Sequence, residues 1–362
     1  MAKPKIRVLV VDDSSFMRKV ISDILRNAPG IEVAGTARDG EDALRKIEEL
    51  SPDVITLDVE MPKKDGIATL EEIMSNRPIP VIMVSSLTQE GAQVTLKALS
   101  MGAIDFVAKP SGHISLNMKD VAEDLVAKVL AASTARLPPP RRAGKAAGRR
   151  PYEEPVRHPV RSFSSRFIKG RPEMVAIATS TGGPRALQQV FSRLPGDFPV
   201  PIVIVQHMPK DFTLSFAKRL DSLSELDVVE GAEGMELRPG LAVVAPGGYH
   251  MIVRRKTQGR FSCAISDAPP VLSVKPSANV LFNSVANEVG GGTVGVILTG
   301  MGRDGAEGAS ALKNKGARII AESQETCVVY GMPKAAVEIG VVDELLPLYS
   351  IPEAIIRSVR ER

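Results

Sequence analysis

Tryptophan is absent, cysteine occurs twice, histidine four times, and aromatic residues make up only 4% of the 362 positions. So few rings leave cores to be built from Val, Ile, Leu and Ala, the composition of parallel α/β sheets buried on both faces. Cys263 and Cys327 lie in separate apolar, strand-like segments with no CxxC or Cys/His cluster. That excludes a disulfide scaffold and a structural zinc site, and fits a reducing cytoplasm. No apolar run approaches the roughly 18 residues needed to span a bilayer, so no membrane insertion is expected. The opening MAKPKIRVLVVDD passes from a short apolar stretch straight into two aspartates without a small-residue cleavage site, the pattern of a first strand and not of a signal peptide. What is present suffices for real cores: 44% apolar and 24% charged residues, over a length that suggests two domains.

The net charge of +4 is unevenly distributed. Residues 133–172 hold eleven Lys and Arg against only Glu153 and Glu154, together with seven prolines including Pro138-Pro139-Pro140. The rest of the chain is mildly acidic. Such a segment cannot bury enough surface to offset its ordering entropy, so 135–170 reads as an extended linker. Its aromatics number only three, Tyr152, Phe163 and Phe167, few for stacking on bases, and no nucleic-acid partner is expected. The chain thus divides into residues 1–134, the linker 135–170, and residues 171–362.

In the first part, apolar runs at Ile6–Val11, Ile31–Ala37, Val54–Leu57, Pro80–Ser85 and Ile104–Ala108 are each followed by a segment of helical period. Five β-then-α repeats predict an α/β fold with a doubly wound parallel sheet, whose ligands collect at the carboxyl ends of the strands. Those ends carry Asp12 and Asp13, then Asp58, then Ser85 and Ser86, then Lys109. Any one alone could be a helix cap or a loop charge. Three carboxylates on one rim, however, repel unless a cation lies between them, and oxygen-only ligands point to a hard ion such as Mg2+. A lysine and a hydroxyl beside them suit a phosphoryl group.

The segments VLVVDDSSFMR, ITLDVEMPKKDG, VIMVSS and GAIDFVAKP resemble the flavodoxin-like receiver domain of bacterial response regulators over residues 5–130. The resemblance implies that Asp58 is the phosphoacceptor, with Asp12, Asp13, Asp58 and the backbone of Glu60 holding Mg2+. It also implies that Ser85 and Lys109 contact the phosphoryl group, that Phe106 is the aromatic that reorients on activation, and that a histidine kinase is the phosphodonor.

Residues 171–362 carry buried-strand patterns, MVAIATS, PIVIVQHM, LAVVAPGG, VGVILTGMG and ARIIAES, between helical stretches such as Pro184–Leu194 and Ala278–Val289. This is a second α/β domain, too large and too weakly basic for a helix-turn-helix output. Ser180 lies where a strand meets a glycine turn and a helix, a position that presents a hydroxyl outward beside backbone N–H groups. The same Ser-Thr-Gly-Gly turn also reads as a helix cap or a phosphate-binding turn. His207 follows the apolar strand Ile202–Val205 at its carboxyl end, whereas His250 begins a strand and suits a supporting role. His113 and His158 fall in a loop and in the linker. Asp304, after VILTGMGR, reaches the same rim; Asp267 and Asp211 follow no comparably buried strand. Ser180, His207 and Asp304 therefore make a nucleophile, a base and its orienting group.

Taken together, ATSTGG, VQHMP, VAPGGYHM, KPSANVLFNSVA, GVILTGMGRDGAEG and CVVYGMPKAA resemble the catalytic domain of the chemotaxis protein-glutamate methylesterase family, CheB, which has a mostly parallel sheet. The order receiver–linker–catalytic domain matches as well. The resemblance implies a cytoplasmic serine hydrolase that removes methyl esters from glutamates of chemoreceptor cytoplasmic helices and deamidates glutamines there, restrained by its receiver until phosphorylated. It places Thr181 and Met301 along the active site and requires no cofactor for hydrolysis. The chain departs from the family in having Ala178-Thr179 before the serine, where Gly-Ala or Gly-Ser is usual. A phosphate-binding module without hydrolysis is the alternative, and a DNA-binding regulator is the third.

Overall fold

The computed structural model describes residues 4–86, 88–109, 118–135, 137, 161–162 and 172–360. The described residues form two compact units, each with its own sheet. Residues 4–135 carry β1 (Ile6–Val11), α1 (Ser15–Arg26), β2 (Ile31–Ala37), α2 (Gly40–Leu50), β3 (Val54–Asp58), α3 (Gly66–Asn76), β4 (Val81–Ser85), α4 (Gln89–Met101), β5 (Asp105–Ala108) and α5 (Met118–Ala132). Two of the five expected strands occupy the residues foreseen, and the other three differ by one residue at one end. Their order is β2-β1-β3-β4-β5, all parallel. β3 and β4 are buried throughout, as continuous apolar runs in a sheet covered on both faces must be. Ser14, Asp39 and Asp65 cap α1, α2 and α3 through their side chains, which leaves Asp13 unused by the helix and free of a capping role.

The second sheet is built from β6 (Arg161–Ser162), β7 (Met174–Thr179), β8 (Ile202–Gln206), β9 (Asp227–Glu230), β11 (Leu241–Val244), β14 (Thr293–Ile297), β15 (Arg318–Glu322) and β16 (Glu344–Leu346). Its order is β6-β16-β15-β14-β7-β8-β11-β9, and from β16 to β9 every ladder is parallel. The helices are α6 (Gly183–Phe191), α7 (Phe212–Asp221), α8 (Ala278–Glu288), α9 (Ala306–Asn314), α10 (Met332–Glu338) and α11 (Ile351–Arg360). The stretches expected at Pro184–Leu194 and Ala278–Val289 correspond to α6 and α8. A separate antiparallel sheet, β10 (Glu236–Leu237), β13 (Phe261–Ser266) and β12 (His250–Arg255), holds the strand expected to begin at His250 and the strand-like segment of Cys263, but its antiparallel pairing was not expected. Arg161–Ser162 pair at the sheet's edge although they fall within the stretch read as a linker; most of 135–170, with His158, and the position of His113 lie outside the described residues.

The core of this unit is aliphatic along the strands, but the expectation of a Val/Ile/Leu/Ala core needs one correction. Phe191, Phe198, Phe212, Phe216 and Phe282 are all fully buried in it, so half of the chain's ten phenylalanines supply bulk where helices meet the sheet. Cys263 and Cys327 are buried and unbridged. Among the described residues no helix is long and apolar enough to cross a membrane.

In both units the chain reverses direction across the sheet at a defined place. β1 lies between β2 and β3, and β7 lies between β14 and β8. At such a switch point neighbouring connections run to opposite faces and leave a crevice outside the carboxyl ends of the two strands. The chemistry-bearing side chains are found at these two crevices.

Candidate active site

Ser180 follows β7, His207 follows β8, and Asp304 lies in the turn between β14 and α9. Because β14, β7 and β8 are adjacent, residues more than a hundred positions apart share one rim. His207 Nε2 lies 2.8 Å from Asp304 Oδ2, so an ionised Asp304 accepts a hydrogen bond from Nε2–H and leaves Nδ1 as the nitrogen with a free lone pair. Asp304 is buried and saturated with donors. Its Oδ1 accepts from Ser277 Oγ at 2.8 Å and Asn279 N at 3.0 Å, and its Oδ2 also accepts from Ala278 N at 2.6 Å. Those N–H groups are the open first turn of α8, where an anion is favoured. Burial raises the cost of this charge, but the hydrogen bond and charge of His207, with Asn279 and Ser277, outweigh it and hold the carboxyl below its ordinary range.

The Ser180 turn is not a side-chain helix cap. Gly182, at φ +79°, is the N-cap of α6, and no side chain caps that helix. Gly183 allows a close approach: a Cβ there would come within 2.1 Å of Gln206 Oε1. Thr179, the departure noted above, turns its hydroxyl into the Thr299 carbonyl at 2.8 Å, beside the Ser180 N–H at 3.1 Å. Thr181 is buried and its carbonyl accepts from Thr299 Oγ1 at 2.9 Å. Met301 follows Gly300, whose carbonyl accepts from Gly331 and Met332 N–H groups at 3.0 and 2.9 Å. Among the described residues no hydrogen bond joins the Ser180 hydroxyl to the imidazole; such bonds commonly close only around substrate.

His250 is fully buried with both nitrogens engaged: Nδ1 accepts from Ser277 N at 3.1 Å, and Nε2 lies 3.0 Å from the Pro269 carbonyl. It supports the segment that carries Ser277 to Asp304. Asp267 is paired with Lys275 at 2.6 Å, and Asp211 is the N-cap position of α7. Sequence reasoning missed Gln206, Ser277 and Thr299. Gln206 Nε2 donates to the carbonyls of both Ser180 and His207, at 3.0 and 3.1 Å, tying the two turns together. The available signal was a polar residue ending a buried strand at the same rim.

In the first unit Asp12 and Asp58 are buried and Asp13 is exposed, with one carboxylate oxygen of each within 4.8 Å of the others. Lys109 Nζ is 2.6 Å from Asp58 Oδ2 and 3.5 Å from Asp12 Oδ2, and that Asp12 oxygen receives no hydrogen bond. Burial pushes Asp58 up to about 6, with the neighbouring Asp12 charge adding to it, against the pull of Lys109. A buried anionic oxygen without a donor, among oxygen ligands only, fits a hard metal ion. Ser85 is buried at the end of β4, and its carbonyl receives the Lys109 N–H at 2.7 Å. Glu60 N lies 3.3 Å from Asp58 Oδ1. Phe106 is buried, with Lys128 Nζ 2.7 Å from its carbonyl and 5.3 Å from its ring centre.

Comparison with known proteins matches this division. The family described as CheB methylesterase matches residues 175–355, and that described as response regulator receiver domain matches 8–119. A protein-glutamate methylesterase/protein-glutamine glutaminase of Symbiobacterium thermophilum is 51% identical over 98% of both chains. The chain belongs to the CheB methylesterase family. A protein of the same description from Pyrococcus horikoshii is 46% identical, over 98% of this chain and 94% of that one. The CheB methylesterase catalytic domain of Thermotoga maritima, 44% identical, superposes with a TM-score of 0.51 and covers 52% of this chain and 99% of that one. The CheB fold expected from the sequence, a receiver followed by a catalytic domain with a parallel sheet, is the fold observed.

Replacing Asp304 by Ala strands three donors at the buried start of α8 and should cost about 3 kcal/mol or more. Because the folded carboxyl sits below its ordinary range, this contribution is present at neutral pH and fades as pH falls through the lowered value. Urea unfolding of wild type and Asp304→Ala should therefore show a gap at pH 7 that narrows in acid; equal stability at pH 7 would contradict the saturated carboxylate.

Proposed function

We propose that this chain hydrolyses glutamyl methyl esters on the cytoplasmic helices of methyl-accepting chemoreceptors, deamidates glutamines at such sites, and is released for this work by phosphorylation of Asp58. The observation that carries the reading is the 2.8 Å His207–Asp304 pair beside the Ser180 turn at the β7/β14 switch point. Ser180 Oγ attacks the ester carbonyl while its proton passes to His207 Nδ1, and Asp304 steadies the imidazolium through Nε2–H. The tetrahedral intermediate places negative charge on the former carbonyl oxygen. The Ser180 and Gly183 N–H groups are committed to Thr299 and Ser180 carbonyls, so the Gly182 and Met301 N–H groups, beside Thr181, are the candidate oxyanion donors; each donor contributes roughly 3–4 kcal/mol. The C–O bond to the methoxy group breaks as His207 returns the proton, and methanol leaves. Water, deprotonated by His207, then attacks the acyl-enzyme and regenerates Ser180. An amide follows the same path with ammonia as leaving group.

In the receiver, Asp58 is the acceptor, and Asp12, Asp13, Asp58 and the backbone of Glu60 would hold Mg2+, which neutralises charge on the incoming phosphoryl group. Lys109 and Ser85 bind phosphoryl oxygens, and Phe106 reports their capture. A histidine kinase of a chemotaxis-type array is the phosphodonor. Residues 1–134 form the receiver, 135–170 the linker and 171–362 the catalytic domain, and the receiver restrains hydrolysis until it is phosphorylated.

Two measurements test this. Methanol release from methylated receptor membranes should fall by about 10⁴-fold or more in Ser180→Ala with the fold intact, and a small-molecule phosphodonor with Mg2+ should accelerate wild type but not Asp58→Asn. Normal turnover in Ser180→Ala, or no turnover in folded wild type given receptors of its own organism, would end the hydrolase reading and favour a phosphate-binding module. Separately, Mg2+ at a hundred times its Kd should stabilise the wild-type protein by about 2.7 kcal/mol, read as a rise in Tm that Asp12→Asn largely removes. An equal rise in both proteins would place the ion elsewhere.

A further inference from the structure

Glu322, the last residue of β15, is a fully buried carboxyl that the mechanism above does not use. Burying a titratable group is costly unless its oxygens are satisfied. Both are: Oε2 accepts from Thr299 N at 2.8 Å, and Oε1 accepts from Thr326 Oγ1 at 2.9 Å. Thr299 in turn spends every polar group on the Ser180 turn and on the chain facing it. Its carbonyl receives Ser180 N at 3.1 Å and Thr179 Oγ1 at 2.8 Å, and its hydroxyl donates to the Thr181 carbonyl at 2.9 Å and accepts from Val329 N at 3.0 Å. Thr299 is therefore a main-chain brace of Ser180, beside Gln206, and Glu322 is the acceptor that holds the Thr299 N–H.

We infer that Glu322 is a positioning residue for the hydrolytic reaction, fixing the Ser180–Thr181 turn through Thr299. This deepens the reading of Ser180 as nucleophile and rests on it. Burial pushes the Glu322 carboxyl up to about 7, more than the hydrogen bonds of Thr299, Thr326 and Cys327 pull it down. The group thus works without needing a permanent charge. A glutamine can replace it: the amide oxygen accepts from Thr299 N, and the amide nitrogen donates to Thr326 Oγ1, which also accepts from Leu348 N at 2.8 Å. A methionine has the length but neither function, and leaves the Thr299 N–H without an acceptor.

The test compares wild type, Ser180→Ala, Glu322→Gln and Glu322→Met as full-length proteins. The readouts are kcat and KM for methanol release from methylated receptor membranes, the rate of Ser180 labelling by a fluorophosphonate followed by intact mass, and Tm. Displacement of a reacting atom by about 1 Å can cost about 10²-fold in rate. Glu322→Met should therefore lose about ten- to a hundredfold in kcat and in labelling rate with KM unchanged, while Glu322→Gln stays within about twofold of wild type on the same grounds. A purely structural role would lower Tm in Glu322→Met and leave kcat and labelling at wild-type values, and that result overturns the inference. Equal loss in Gln and Met also overturns it, since the bonds, not the charge, are held responsible. Where Glu322→Met fails to fold, Thr299→Val breaks the next link: a lower kcat at constant KM supports the inference, and an unchanged kcat overturns it. If wild type itself releases no methanol and is not labelled, the failure lies with the Ser180 reading and the inference falls with it.

Discussion

The carboxylate of Asp304 joins three segments of the chain at one point: the turn after β14, the first turn of α8, and the end of β8 through His207. Each of its bonds serves a second purpose. The α8 N–H groups need an acceptor because a helix leaves its first donors unpaired, and His207 needs an acceptor at Nε2 if Nδ1 is to remain basic. One buried charge meets both demands, and it is affordable only because four donors surround it. The segment reaching Ser277 is held in turn by His250, whose fixed ring turns a buried histidine into a strut. The rigidity of the rim comes from this saturation more than from packing.

Three buried carboxyls of this chain are handled in three ways, and the number and charge of their neighbours decide among them. Asp304, with four, stays charged below the usual range. Asp58, with Lys109 and one backbone N–H but also the Asp12 charge alongside, is pushed up to about 6. Glu322, which has two neutral donors and no cation at hand, is pushed up to about 7. The same residue chemistry thus yields a fixed anion, an anion in need of a further cation, and a nearly neutral hydrogen-bond acceptor. Both oxygens of Asp58 have donors, but the Oδ2 of neighbouring Asp12 has none, and the surroundings of that pair fit a metal ion.

Much of this was legible in the sequence because parallel sheets announce themselves. Continuous apolar runs ending in Asp, Ser, His or Lys located both rims, since only the ends of buried strands can expose polar side chains to a crevice. Asp12, Asp58 and Lys109, and likewise His207 and Asp304, were reached that way and do converge. The braces were not legible. Gln206 and Glu322 also end buried strands and Thr299 lies two residues past one, but their partners are 26, 23, and 118 to 120 positions away. Which of those strands are neighbours depends on the order β15-β14-β7-β8, and chain order does not reveal it. The strands at His250 and Cys263 were legible, but their antiparallel pairing with each other and with β10 was not, because the pattern of a strand does not say which strand it pairs with.

The two switch points differ in which groups they leave unbonded. At β1/β3 a buried oxygen of Asp12 is left without a donor and a lysine is shared between two carboxylates. That crevice has electrostatic work left over for an incoming cation and phosphoryl group. At β7/β14 most supporting groups are bonded to one another, Gln206 Oε1 and Asn279 Nδ2 being buried exceptions, and no hydrogen bond joins the Ser180 hydroxyl to His207. A phosphorylation pocket gains from unmet demand, because demand is what binds a ligand. A hydrolytic site gains from its absence, because donors and acceptors already fixed in place need not reorganise as charge develops in the transition state.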